Sequence, residues 1–269
     1  MGHAESVGAT QARELLVETT TRMFRDLADP QAVVNARDDA WQAALWRELE
    51  EAGLTRAWVP ESLDGAGASI ADGFEILRVA GSFAVSVPLA ETLLAGWLLA
   101  QAGLRVPSGA LSVAPVGEGE KLLLDSRGNI TGRAYAVPFA RDAAHFAFIA
   151  HKVDGRVVAL VPRGNCRIEQ RANIAGEPRD DVLCVGAKPI AIADVSEKVT
   201  EETLQTMGAA VRAAQISGAL QAILERSVAY ATERVAFERP IGKFQVIQHN
   251  LARLAGESAA ALAASGSAA

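Results

Sequence analysis

Apolar side chains recur every three to four positions from Thr10 to about Val106, the spacing of one helix face. Leu15, Leu16, Met23 and Leu27 form one such row; Trp41, Leu45, Trp46 and Leu49 form a second that Gly53 is placed to close. The period is lost in Val59-Pro60-Glu61-Ser62-Leu63-Asp64-Gly65-Ala66-Gly67-Ala68-Ser69, a turn-rich loop whose last residue suits the N-cap of a helix over Ile70 to Ala80. Pro88 opens another helix. Leu89 to Leu104 is apolar enough to be buried, yet Glu91 and Gln101 leave it far short of the roughly 18 consecutive apolar residues of a membrane span. Pro107-Ser108-Gly109 ends this all-helical region.

From about Leu111 the period changes to two. Short β-rich runs fall at Lys121 to Leu124, Ile130 to Val137, His145 to His151, Arg156 to Val161 and Val182 to Val185. Asp154-Gly155 between two of them predicts a type I′ hairpin, and Asp125-Ser126-Arg127-Gly128-Asn129 separates another pair. Turns at this spacing imply a small antiparallel sheet or barrel. The helical period returns at Thr200, a natural cap, with Glu201 and Glu202 at the positive helix end. Leu204, Met207, Val211 and Ala214 begin a stripe that Ile216, Leu220, Ile223, Leu224 and Val228 continue, predicting a helix of roughly nine turns. A second long helix follows Pro240. The expected fold is therefore multidomain: an N-terminal all-α domain over 1–109, a small antiparallel β domain over 110–197 and a C-terminal α-helical bundle over 198–269. Ala259 to Ala269 has neither cap nor closing charge, so the bundle is expected to be incomplete.

Composition narrows the function classes. The 269 residues carry 26 basic and 32 acidic side chains, a net charge of -6. Without a basic block the chain has no electrostatic footprint for nucleic acid. No secretory signal follows Met1, and the expected location is cytoplasmic, away from membrane. Cys166 and Cys184 lack CxxC or histidine spacing, and His3, His145, His151 and His249 are scattered, so no metal site is expected. No GxSxG, P-loop, GxGxxG or HExxH pattern is present. Gly65-Ala66-Gly67 lacks a preceding strand and a third glycine in register, and reads as a turn.

The segment Glu233-Arg234-Val235-Ala236-Phe237-Glu238-Arg239-Pro240-Ile241-Gly242-Lys243-Phe244-Gln245-Val246-Ile247-Gln248 joins the two long helices. Arg234 and Arg239 complement the dipole of the first helix, and guanidinium groups are also the best bidentate binders of a pyrophosphate. From composition alone, a charged corner with a solvated polar face is the favoured reading. Glu201 and Glu202 likewise suit an ordinary helix start.

This corner resembles that of the acyl-CoA dehydrogenase family, approximately Arg-x-x-Phe-Gly-x-Pro-Ile-x-x-Phe-Gln-x-x-Gln. Trp46-x-x-Leu49-x-x-x-Gly53-Leu54, Val59-Pro60-Glu61 and Asp64-Gly65-Ala66-Gly67 are similar to the family's first domain, and Gly132 to Ala150 to its middle sheet. The resemblance implies FAD-dependent α,β-dehydrogenation of an acyl-CoA thioester to the 2,3-enoyl-CoA. It further implies a homodimer or homotetramer, or a hetero-oligomer, and an electron-transfer flavoprotein as acceptor. In that family the flavin site spans a dimer interface, and Arg234, Phe237, Ile241 and Gln245 occupy the corner positions that contact FAD.

The chain departs from the family pattern at several places. Ala236 stands where many members have a hydroxyl, and Glu238 replaces the turn glycine. Val113-Ala114-Pro115-Val116-Gly117-Glu118-Gly119 and Tyr135-Ala136-Val137-Pro138 replace the segments that face the flavin ring. The family's catalytic glutamate falls at about Gly208 or in a later loop, so no catalytic residue is assigned, and the chain reads as shortened at its C-terminus. Three readings follow: a flavin dehydrogenase, a catalytically degenerate partner subunit of a mixed oligomer, or a non-enzymatic acyl-CoA-binding or interaction module.

Overall fold

The structure, a computed structural model, describes residues 2–35, 40–114 and 121–268. Five helices come first: α1 (Gly2–Leu27), α2 (Pro30–Asn35), α3 (Ala40–Glu51), α4 (Ile70–Phe83) and α5 (Leu89–Gln101). Eight strands follow: β1 (Leu111–Val113), β2 (Leu123–Leu124), β3 (Ile130–Pro138), β4 (His145–Lys152), β5 (Gly155–Pro162), β6 (Arg167–Glu169), β7 (Arg179–Ala187) and β8 (Ala191–Asp194). The chain then forms α6 (Glu201–Glu233), a hairpin of β9 (Val235–Ala236) and β10 (Arg239–Pro240), and α7 (Gln245–Ala268). The three-part order is the expected one. Contacts group these elements into two units, one from Met1–Leu45, Ile70–Val85 and Ala210–Ala269, the other from Trp46–Ser69 and Ser86–Ala209.

Local chemistry sets most helix boundaries. Gly53, at φ 72, follows α3, and α4 begins directly after Ser69. The Pro88 carbonyl accepts the Thr92 N–H at 3.0 Å in the first turn of α5. At α6 the Thr200 hydroxyl accepts the Thr203 N–H at 3.0 Å, as a threonine N-cap should.

In the first unit, Phe24 of α1 is fully buried and stacks on Phe83, centroids 5.7 Å apart. Arg13 pairs with Asp72 at 2.7 Å. Glycines let α4 and α6 approach closely. A Cβ on Gly81 would lie 2.1 Å from the Gln215 carbonyl oxygen, and one on Gly218 would lie 1.9 Å from that of Arg78.

The second unit is built on an eight-stranded sheet ordered β6-β7-β3-β2-β4-β5-β8, with β1 beside β4. It is mixed rather than wholly antiparallel, because β1 and β2 both run parallel to β4. Phe146 to Ala150 and Val157 to Val161 are buried on both faces, which explains their continuous apolar sequence. Phe146 and Phe148 stack at 5.2 Å in this core. Helix α5, buried almost all round, packs along β1, β4 and β5.

One turn reading changes. The β4–β5 hairpin forms with Lys152 opposite Gly155, so its loop is Val153-Asp154; neither has a positive φ, and the turn is not type I′. Gly65-Ala66-Gly67 folds back on the preceding segment: Ala66 N–H donates to the Arg56 carbonyl at 3.2 Å, and a Cβ on Gly65 would fall 2.0 Å from the Val59 carbonyl oxygen. Packing alone therefore requires glycine there.

Candidate functional site

The corner between α6 and α7 is a closed loop. Arg234 N–H donates to the Tyr230 carbonyl at 2.8 Å, continuing the helix, and the Arg234 carbonyl accepts the Ile241 N–H at 2.8 Å. Between them β9 and β10 pair with Ala236 opposite Arg239. Phe237 and Glu238 form the connecting turn at φ 51 and 66, the left-handed pair of a type I′ hairpin. The turn preference for glycine at the Glu238 position is thus explained by backbone conformation. Gly242 packs against the helix, where a Cβ would approach the Ala231 carbonyl oxygen to 3.1 Å. Gln248 Nε2 donates to the Gly242 carbonyl at 3.0 Å and fixes the start of α7.

These constraints carry the four predicted residues to one corner. Arg234 and Gln245 are exposed, Ile241 is half-buried, and Phe237 is 90% exposed while meeting Phe244 edge-on at 6.2 Å. Arg239 lies 4.3 Å over the Phe244 ring rather than against Glu238. Among the described residues no carboxylate or carbonyl engages the Arg234 guanidinium. An unpaired cation, an outward aromatic ring and a primary amide at a helix start are groups able to meet a phosphate and a planar base.

In the sheet, Val113 and Ala114 are buried, while Pro115-Val116-Gly117-Glu118-Gly119 lies outside the described residues. The Tyr135-Ala136-Val137-Pro138 segment is kinked by a bulge between Ala134 and Val137, with Ala136 at φ 51. Tyr135 stacks under the Arg133 guanidinium at 4.9 Å, and Ser112 Oγ donates to the Pro138 carbonyl at 2.5 Å. Two buried carboxylates hold this region. Asp181 accepts from Arg133 at 3.0 Å and from Ala136 N–H at 3.2 Å, and pairs with Arg171. Asp180 accepts from Arg141 Nη2 at 2.6 Å and from the N–H groups of Arg141 and Arg171. Burial pushes both carboxyls up, but these donors outweigh it and hold both below the usual range.

Glu201 engages His151 across the unit, a pair that a separation of fifty positions hid from sequence reading. Burial raises the Glu201 carboxyl; its own N–H at the helix start, His151 and Arg156 overcome this and leave it below the ordinary carboxylate value. Such a group is a poor proton acceptor at neutral pH. Glu202 is exposed, and Gly208 supplies no carboxylate. Sequence reading also missed that Cys166 and Cys184 meet, with Sγ atoms 3.5 Å apart. Only the strand register could have revealed it. No cluster of metal-ligating groups and no helix long and apolar enough to cross a membrane occurs among the described residues.

Comparison with known proteins places this geometry. Residues 10–105 match the acyl-CoA dehydrogenase N-terminal domain, and residues 197–269 match the acyl-CoA dehydrogenase C-terminal domain. The chain is 28% identical over 249 residues to acyl-CoA dehydrogenase IpdE2 of Mycolicibacterium smegmatis, covering 91% of this chain and 72% of that one. It is 29% identical over 256 residues to IpdE2 of Mycobacterium tuberculosis, covering 94% and 74%. Its fold superposes on the crystal structure of the ChsE4-ChsE5 complex from Mycobacterium tuberculosis with TM-score 0.79 and 25% identity, over 94% of this chain and 77% of that one. Butyryl-CoA dehydrogenase from Megasphaera elsdenii shares the fold at TM-score 0.73 and 17% identity, over 91% and 76%. With both terminal domains matched in order and the helix–sheet–helix architecture shared, the chain belongs to the acyl-CoA dehydrogenase family.

Proposed function

We propose that this chain is a subunit of an FAD-dependent oxidoreductase that converts an acyl-CoA thioester to its 2,3-enoyl-CoA. The observation that carries the reading is the corner: Arg234, Phe237, Ile241 and Gln245 lie along one short stretch, and among the described residues the Arg234 guanidinium has no partner. Arg234 would neutralise a phosphate oxygen, Phe237 would cover the planar base, Ile241 would bound the pocket and the Gln245 amide would donate to a polar edge. FAD, when bound, supplies the hydride acceptor. The exposed apolar residues Ile216, Ile223 and Tyr230, spaced seven apart on one face of α6, support an oligomer in which the corner reaches flavin held mainly by a neighbouring subunit. Electron-transfer flavoprotein is the proposed acceptor.

A second reading is favoured by a specific observation. Of the two candidate carboxylates, Glu201 is committed to His151 and Glu202 is exposed, and Gly208 has no side chain to offer. The ChsE4-ChsE5 relative is a complex of two named proteins. This chain would then donate its corner to a partner's flavin without completing a site of its own. Incubation with FAD, an acyl-CoA and an electron-accepting dye separates the two. Appearance of an acyl-CoA lighter by two hydrogens supports the dehydrogenase; no such product, with flavin either unreduced or not retained by the chain alone, supports the partner subunit.

A further inference from the structure

Cys166 and Cys184 have no place in acyl-CoA oxidation, yet the sheet sets them face to face. β6 and β7 pair antiparallel with Arg167 opposite Leu183, and the same register carried back by one residue sets Cys166 opposite Cys184. Their Sγ atoms are 3.5 Å apart. Directly opposed antiparallel residues have Cα atoms about 4.5 to 5.5 Å apart, inside the window of about 4.4 to 6.8 Å that a disulfide spans without backbone movement. The Cys166 N–H donates to the Arg163 carbonyl at 3.0 Å instead of across to Cys184. That is the pattern of the closer, non-hydrogen-bonded pair, in which opposed side chains approach most. Cys184 is buried in the sheet core, whereas Cys166 is half-buried beside the exposed turn Arg163–Asn165.

We propose that Cys166 and Cys184 form a peroxide-responsive dithiol that closes to a reversible disulfide tying the edge strand β6 to β7. The two thiols are unequal. Cys166, half-buried beside the exposed turn Arg163–Asn165, is the one peroxide can reach, whereas contact with Cys166 and burial push the Cys184 thiol up. Cys166 is thus the attacking sulfur. Its thiolate takes one oxygen of hydrogen peroxide, the O–O bond breaks, and the departing hydroxide leaves as water after gaining a proton. Cys184 then attacks the resulting sulfenic sulfur; the S–S bond forms, the S–O bond breaks, and the Cys184 proton leaves with that oxygen as a second water. Two thiols are oxidised and one peroxide is reduced to two waters.

The test uses the full chain, reduced, freed of reductant and treated with hydrogen peroxide before denaturation, alkylation and mass analysis. The expected result is loss of two hydrogens, loss of alkylation at both cysteines, one linked pair of peptides containing Cys166 and Cys184, and full reversal by dithiothreitol. In Cys184→Ser the sulfenic acid accumulates on Cys166 and is trapped by dimedone. Wild-type thiols that stay alkylatable, progress to sulfinic acid without linking, or link between two chains would each overturn the proposal. Because the wild-type chain answers on its own, a variant that fails to fold does not decide the matter.

Discussion

The Arg234 guanidinium is exposed and meets no acceptor among the described residues, so it adds little to stability. Arg234→Ala is therefore expected to leave the melting temperature nearly unchanged. Its loss of a charge-assisted hydrogen bond, worth about 1.5 to 3 kcal/mol, should weaken flavin retention by roughly ten- to a hundredfold. Flavin content after gel filtration reads this directly, and an unchanged content would remove the residue from the site. Glu201 has the opposite character. Its carboxyl titrates below the ordinary value of 4.5 in the folded chain, so the fold favours the ionised form. Its contribution is complete above that value and disappears as pH falls through the lower folded value. Glu201→Gln should thus melt below wild type at pH 7, with the two converging as pH falls through that lowered value. A gap that persists in acid would assign the residue to packing instead of charge. Residue type at the corner was legible in the sequence because its spacing is local; the engagement of Glu201 by His151 was not, because it depends on how β4 meets the start of α6.

At the scale of elements, the two glycines of α6 make opposite predictions. Gly218→Ala drives a Cβ to 1.9 Å from the Arg78 carbonyl oxygen and must separate α4 from α6, at an expected cost of about 2 kcal/mol or more. Gly208→Ala meets nothing within 4 Å and should be neutral or stabilising by up to about 1 kcal/mol through helix propensity. Thermal melts of the two variants with equal signs would refute the helix-crossing account. The helix boundaries at Gly53, Ser69, Pro88 and Thr200 could be read from sequence because capping is a matter of adjacent residues. β1, β6 and β8 escaped because strands of three or four residues take their definition from partners far along the chain. Turn type failed for a related reason. Asp154-Gly155 looked like the left-handed turn, yet the left-handed pair lies at Phe237 and Glu238, where neither residue is glycine and the closed loop around them sets the backbone.

For the whole molecule, family membership, the helix–sheet–helix order and the exposed corner support the proposed flavin chemistry, while the His151–Glu201 pair and the absence of a carboxylate at Gly208 favour the partner-subunit reading. The apolar face of α6 carries the same implication of association, since Ile216, Ile223 and Tyr230 lie exposed along it on the single chain. The most direct measurement is the visible absorption spectrum of the purified chain supplied with FAD, taken before and after anaerobic addition of acyl-CoA thioesters. The account predicts a flavin band that survives gel filtration and bleaches when an acyl-CoA is oxidised. A folded chain that retains no flavin would contradict it.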